Sequence, residues 1–214
     1  MARGAVARGV VPAVLAFLGP AILGAIALGL GGATGPLGPA CARAADEIAL
    51  AFDPGGEHSC LDAEAFVQVT AYLLILAPSA SGGVAGWECE VDYPGHAVLV
   101  GTALGGINPL NVAQPPSFMV GLGGGPLPYA PVVEAARLTF LLTSADPIRF
   151  AILPFTPCSL PDYELPVYAD GANPNVLRPL TPRVIYGENV AAGINLPGCS
   201  PQPLTWGDIK KLYE

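Results

Sequence analysis

Charge is scarce in this chain. Asp, Glu, Lys and Arg make up 12 % of its 214 residues, about half the usual share. Hydrophobic residues reach 52 %, so a chain kept unfolded by low hydropathy and self-repulsion is excluded. Basic residues are fewer still: nine Lys and Arg stand against 17 acids, and no run after residue 44 exceeds two. A phosphate backbone needs clustered cations to displace its counterions, which argues against nucleic acid as a partner. Adsorption to an anionic membrane surface is disfavoured on the same ground. Aromatic residues, at 7 %, leave few platforms on which a sugar could stack. No Gly-x-Ser-x-Gly elbow, His-Glu-x-x-His, phosphate-binding loop or dinucleotide fingerprint is present, which removes the enzyme classes that short motifs reveal. The Gly-rich stretch at 121–125 precedes Pro126 rather than a helix, so it makes no phosphate cradle.

What the chain does have is punctuation. With 27 Gly and 24 Pro but no Gly-X-Y period, the composition fits many short strands joined by tight turns better than collagen or long helices. The first 44 residues differ in kind. Arg3 and Arg8 precede an apolar run from Val10 to Leu30, and Ala42-Arg43-Ala44 offers a small-x-small cleavage site before Ala45. Residues 1–44 are therefore expected to be a signal peptide. The alternative is an uncleaved membrane anchor, since about 20 apolar residues suffice to span a bilayer; Pro20 and the glycines weaken that helix. A lipid anchor at Cys41 is poorly supported by the Leu37-Gly38-Pro39-Ala40 that precedes it.

Cysteine usage agrees with export. Beyond Cys41 lie Cys60, Cys89, Cys158 and Cys199, an even number without a C-x-x-C knuckle, expected to form two disulfides in an oxidising compartment. Spacing does not choose among the three pairings, and it gives no support to a zinc site. Secretion, or residence in the cell envelope, is the expected localisation.

From residue 45 to 197 the dominant period is two. Val67, Val69, Ala71, Leu73 and Ile75 make one apolar face of a strand whose other face carries Gln68, Thr70 and Tyr72 among leucines, as in a central, covered strand. The clearest strand is Val84–Tyr93. Trp87, Cys89, Val91 and Tyr93 fall on one side, and Glu88, Glu90 and Asp92 on the other. Further runs are expected at 96–100, 117–122, 132–143, 148–153, 165–169 and 183–194. Phe118/Val120/Leu122, Ala136/Leu138/Phe140/Leu142 and Ile148/Phe150/Ile152 are the expected core sets. Eight or nine strands with regular turn signals predict an all-β fold, a two-sheet antiparallel sandwich. Residues 198–214 differ again, as a linker and a short C-terminal helix: Thr205 and Asp208 have capping-box spacing, and Trp206, Ile209 and Tyr213 recur at helical intervals.

The order of these features resembles the cohesin-type sandwich modules of secreted bacterial proteins. The resemblance is carried by the long Phe66–Leu76 strand, Val84-Ala85-Gly86-Trp87-Glu88, Phe118-Met119-Val120-Gly121-Leu122, the long run from Val132 to Phe140 and the closing Val190–Ile194. It covers roughly residues 46–196 and implies a jelly-roll-like fold of nine strands that binds a partner module through a sheet face. The chain also resembles exported proteins of environmental bacteria that carry a similar Gly-Trp-Glu-Cys strand and a short Trp-containing tail.

Several residues are candidates for chemistry. His58 and His96 each lie at a turn without converging partners. Glu88 and Glu90 share a strand face, roughly 6.5 to 7 Å apart by strand rise, a spacing that paired glycosidase carboxylates use. A solvated acidic face uses the same pattern. Trp87 could be a sugar platform, although its phase with Cys89 points it inward. Asp170-Gly171-Ala172-Asn173-Pro174-Asn175, with Asp162 and Glu164 upstream, could hold calcium, or could simply close Asx turns. The expected function is an exported, non-catalytic module for protein binding, adhesion or structural display, without cofactor or metal. The alternatives are a carbohydrate-binding module using Tyr129, Tyr163 and Tyr168, and a secreted glycoside hydrolase using the acidic pair. The expected partner is another extracellular protein or a glycan; a membrane enters only through an uncleaved leader.

Overall fold

The computed structural model describes residues 45–199 except 161, 163, 186 and 188. The expected leader over 1–44 and the expected helix at 206–214 lie outside the described residues, as does Tyr163. Among the described residues there are thirteen strands and no helix. In chain order they are β1 (Glu47–Ala51), β2 (Cys60–Leu61), β3 (Gln68–Leu76), β4 (Val84–Asp92), β5 (Ala97–Leu104), β6 (Pro109–Asn111) and β7 (Ser117–Leu122). These are followed by β8 (Val132–Leu142), β9 (Ile148–Leu153), β10 (Val167–Asp170), β11 (Leu177–Pro179), β12 (Thr181–Pro182) and β13 (Ala192–Ile194).

They form two sheets. One has five strands in the order β12-β1-β3-β8-β5; the other has eight, β11-β10-β4-β9-β13-β2, with β7 beside β4 and β6 beside β7. The strand count exceeds expectation because two- and three-residue pieces such as β2, β6 and β12 are too short to show a period of two. The sheets are also mixed rather than purely antiparallel: β12 runs parallel to β1, and β2 parallel to β13. Both are edge strands that pair with a strand far away in sequence, which releases them from the antiparallel direction that a tight hairpin imposes. The expected strand over 183–194 is reduced to β13, because the apolar alternation of Ala192–Ile194 is interrupted upstream by Gly187 and Asn189, both at positive φ.

The core lies between the sheets. Leu73, Leu138, Phe140 and Leu142 from the five-stranded sheet meet Cys89, Phe118, Phe150 and Ile148 from the other, all fully buried. The expected core sets are therefore inward. Aromatic rings knit the middle: Phe140 and Phe150 lie 5.0 Å apart, Tyr93 and Phe140 5.0 Å in an edge contact, and Trp87 and Phe118 5.3 Å. Offset and edge arrangements of this kind add about 0.5–1.5 kcal/mol beyond burial. The buried indole N–H of Trp87 has no hydrogen-bond partner among the described residues.

The second half of β3 is apolar on both faces because both are covered there. Its outward Leu74 and Leu76 are fully buried with Ala49 and Ala51 of β1. The 53–58 turn supplies the cover. Gly56, at φ 73°, comes so close that a Cβ there would sit 3.0 Å from a Leu74 methyl. Asp53 shapes that turn by accepting the N–H groups of Gly55, Glu57 and His58. Burial pushes its carboxyl up, but those bonds outweigh it and hold it below the usual range.

At one end a polar cluster ties the sheets together. Tyr168, fully buried on β10, donates its hydroxyl to Asp46 at 2.6 Å and accepts the Ala80 N–H at 3.2 Å. Ser79 reaches the same carboxylate through its N–H at 2.7 Å and its hydroxyl at 2.6 Å. Arg178 bridges from the Ser79 hydroxyl to Asp170. Burial and the adjoining Asp46 push the Tyr168 hydroxyl pKa up.

Candidate functional site

The outer face of the eight-stranded sheet can be read from register. Leu110 lies opposite Gly121, Gly121 opposite Gly86, Gly86 opposite Ala169, and Ala169 opposite Leu177. Because side chains directly across a sheet share a face, this row is a trough with a Gly-Gly-Ala floor between two leucines. The next row runs Met119, Glu88, Val167, Pro179. Val112 extends it, its N–H bonded to the Met119 carbonyl. Leu110, Val112 and neighbouring Ile107 are 65 %, 68 % and 67 % exposed, an unusual concentration of aliphatic surface. A shallow groove of about 580 Å³ lies between Leu110, Val112 and Met119, and a smaller one continues over Gly86 to Leu177.

The two glycines of the floor differ. A Cβ on Gly86 would lie 2.6 Å from the Val120 carbonyl oxygen, so close strand approach requires glycine there. On Gly121 a Cβ would meet nothing within 4 Å. Packing therefore gives no reason for Gly121, and in a strand interior glycine weakens the strand. Its effect is to keep the trough open.

The acidic pair is divided by the fold. Glu88 and Glu90 both lie on this outer face, but Glu88 is 4 % exposed. It accepts the Ser159 N–H and hydroxyl, one on each carboxylate oxygen, both at 2.7 Å. Thus Glu88 anchors the 154–166 connection, which emerges where β4 exchanges its β10 partner for β9. Glu88→Ala is expected to free this segment, raising protease cleavage within 154–166 at least tenfold while the rest of the domain stays resistant. Mass mapping of limited digests checks it; an unchanged cleavage rate would show that the anchor is idle.

One of the two expected disulfides is formed, between Cys60 and Cys199. Cys89 and Cys158 are free thiols, which corrects the expectation of a second bridge. Cys89 points into the core between Trp87 and Val91, whereas Cys158 belongs to the connection held over the opposite face at Glu88. Successive strand residues point to opposite faces, so such a bridge would have to pass through the sheet. Burial pushes the Cys89 thiol pKa up, and the Glu88 and Glu90 charges add to it. Cys158 donates weakly to the Leu160 and Leu165 carbonyls.

The other candidates disperse. His58 pairs with Asp53 at 3.2 Å, and His96 lies 3.4 Å from the Pro147 carbonyl. Asp170 is committed to the Ala172 N–H and to Arg178, which together hold its carboxyl below the usual range. Asn173 closes a second Asx turn onto Asn175. Among the described residues no group of three or more His, Cys, Asp or Glu is placed to hold a metal ion. Trp87 is inward, Tyr168 is buried and Tyr129 is exposed, so the two described tyrosines of the expected sugar platform do not form one exposed surface.

Sequence reading missed the trough. Its inner neighbours Phe118 and Val120 were legible, which places Met119 and Gly121 outside. Leu110 and Val112 sit on and beside a three-residue strand headed by Pro109, whose period is too short to register.

No family model and no curated protein sequence matches the chain. Two solved structures, both from Acetivibrio cellulolyticus, are similar to it. One is the sixth cohesin of scaffoldin B, in complex with a mutant Cel5 dockerin, with a TM-score of 0.45 and 12 % identity, covering 71 % of this chain and 98 % of that one. The other is a type II cohesin domain from the cellulosome, with a TM-score of 0.47 and 14 % identity, covering 70 % and 94 %.

Proposed function

We propose that this protein is an exported, non-catalytic module that binds another protein through the outer face of its eight-stranded sheet. The observation that carries this reading is the Leu110–Gly121–Gly86–Ala169–Leu177 trough, with aliphatic side chains exposed at its rim and a glycine at position 121 that packing does not demand. A partner seated there gains most from an apolar ridge, because backbone amides on a sheet face are already paired and offer it few hydrogen bonds. The leader-like 1–44 segment and the Cys60–Cys199 bridge support the exported part of the reading.

A photo-crosslinker placed at Leu110 should capture a polypeptide in the exported fraction of the source cells, and one placed at Thr70 on the other sheet should not. Equal capture at both positions, or none at either, would sink the reading. With that partner in hand, Gly121→Val should weaken binding at least tenfold by filling the floor, while thermal stability holds or rises because a β-branched residue replaces glycine in a strand. Unchanged affinity would also count against the trough.

A further inference from the structure

The outer face of the five-stranded sheet carries an apolar patch of its own, at the end where β3 begins. Leu141 of β8 lies opposite Gln68 of β3 on one side and Val98 of β5 on the other, so these side chains form one row across the face. Leu141 is half-buried and Val98 is 44 % exposed. Phe66, two residues before β3, adds a ring that is 78 % exposed. Its backbone is at φ 61°, a region that is costly for a bulky side chain. Its N–H is bonded to the Leu142 carbonyl, so the strand end is fixed with an aromatic ring in solvent.

The chain that leaves the domain nearby is a fitting occupant. Cys199 is bonded to Cys60, and Cys60 precedes Phe66 by six residues, so Cys199 and Phe66 lie within about 25 Å of each other. The Asn195 side chain, bonded to the Ala63 and Ala145 carbonyls, holds this exit at the same end of the sandwich as Phe66 and the connection from β8 to β9. Residues 200–205 span up to about 20 Å when extended, enough to bring Trp206 to the patch. From there Trp206, Ile209 and Tyr213 recur at helical spacing, and a helix over 206–213 would be about 12 Å long. The diagonal from Phe66 to Val98, two residues along β3 and two strands across, is also about 12 Å. So short a helix is marginal alone in water, and an apolar surface of matching length supplies what it lacks. Charge agrees. Lys210 and Lys211 are the only lysines of the chain, and Glu64 and Asp146, both at this end, are exposed acids. Arg149, a cation at the same end, is exposed on the outer face of the other sheet, its neighbours Ile148 and Phe150 being buried in the core.

We propose that residues 206–214 dock on this patch of their own chain as an amphipathic helix, with Trp206 against Phe66, Tyr213 towards Val98 and the lysines near Glu64 and Asp146. The trough on the other sheet stays open to a partner. Salt loosens the docking by screening the lysines, while its apolar part persists.

A photo-crosslinker replacing Phe66 in the full chain tests this. The expected product joins position 66 to a peptide from 200–214 of the same chain, identified by mass mapping, with a yield that does not change over about a hundredfold range of protein concentration, because the contact is intramolecular. Lys210→Glu with Lys211→Glu should lower that yield at least twofold. In a separate variant, Phe66→Asp should raise acrylamide quenching of tryptophan fluorescence at least twofold, since Trp87 is buried and contributes a constant background. The melting temperature should stay within a few degrees, because Phe66 is exposed. Leu110→Lys with Val112→Lys, on the proposed partner face, should leave cross-link and quenching unchanged, so this inference and the function above fail separately. The proposal is overturned by a cross-link that avoids 200–214, by one that forms only between chains, by a yield unchanged in Trp206→Ala with Ile209→Ala, or by quenching that Phe66→Asp does not alter.

Discussion

Reduction of the Cys60–Cys199 bridge is expected to remove about 5 kcal/mol of stability by the chain-entropy account of disulfides, lowering the melting temperature by roughly 10–20 °C for a domain of this size. The bridge closes a sequence separation of 139 residues, and a longer loop restricts the unfolded chain more. Locally it reinforces a thin join: β2 and β13 share only two residue pairs, flanked by the Gly193 and Asn195 N–H groups bonded to Ser59 and Leu61. A second pin is the Asn195 side chain, which accepts the Ala63 N–H and donates to the Ala63 and Ala145 carbonyls. That clamp survives reduction, so the domain loosens at this edge without losing its core. Thermal denaturation with and without reductant, repeated on Cys60→Ala with Cys199→Ala, measures the effect. A shift under about 3 °C would mean that the bridge is ornamental to folding. Intact mass under both conditions should report one bridge, with Cys89 alkylated only after unfolding.

Tyr168→Phe is expected to cost about 3 kcal/mol, or roughly 6–12 °C. The substitution keeps the ring and removes one oxygen, so the loss is almost purely polar. That oxygen donates to the Asp46 carboxylate and accepts the Ala80 N–H. A bond to a charged group contributes about 1.5–3 kcal/mol, and a buried N–H left without its acceptor costs a further 1–3. Ser79→Ala should cost less, because Ser79 keeps its N–H bond to Asp46. Calorimetry of both variants checks the order. A Tyr168→Phe protein melting within about 2 °C of the parent would show that the inter-sheet cluster contributes little.

The long strands were legible because their information is local. Trp87, Cys89 and Val91 against Glu88 and Glu90 is a period-two pattern visible in five residues, and it placed Trp87 in the core. Which face of β4 would be capped, and by what, was not local: Ser159 lies 71 residues away. Tyr168 misled for a related reason. Its hydroxyl allows an exposed reading, and only Asp46 and Ala80, 122 and 88 residues distant, provide the partners that let it be buried.

By itself, then, the sequence determined that residues 45–197 would fold as strands in two layers, with these inward residues and little charge outside. Alternation and turn residues act over a few positions and need no partner to be read. Tertiary structure alone decided which strands are neighbours, which edges stay open, which of four cysteines meet, and that one outer face carries a trough floored by glycine. Each of these depends on groups far apart in sequence and brought together by packing, and no local period records them.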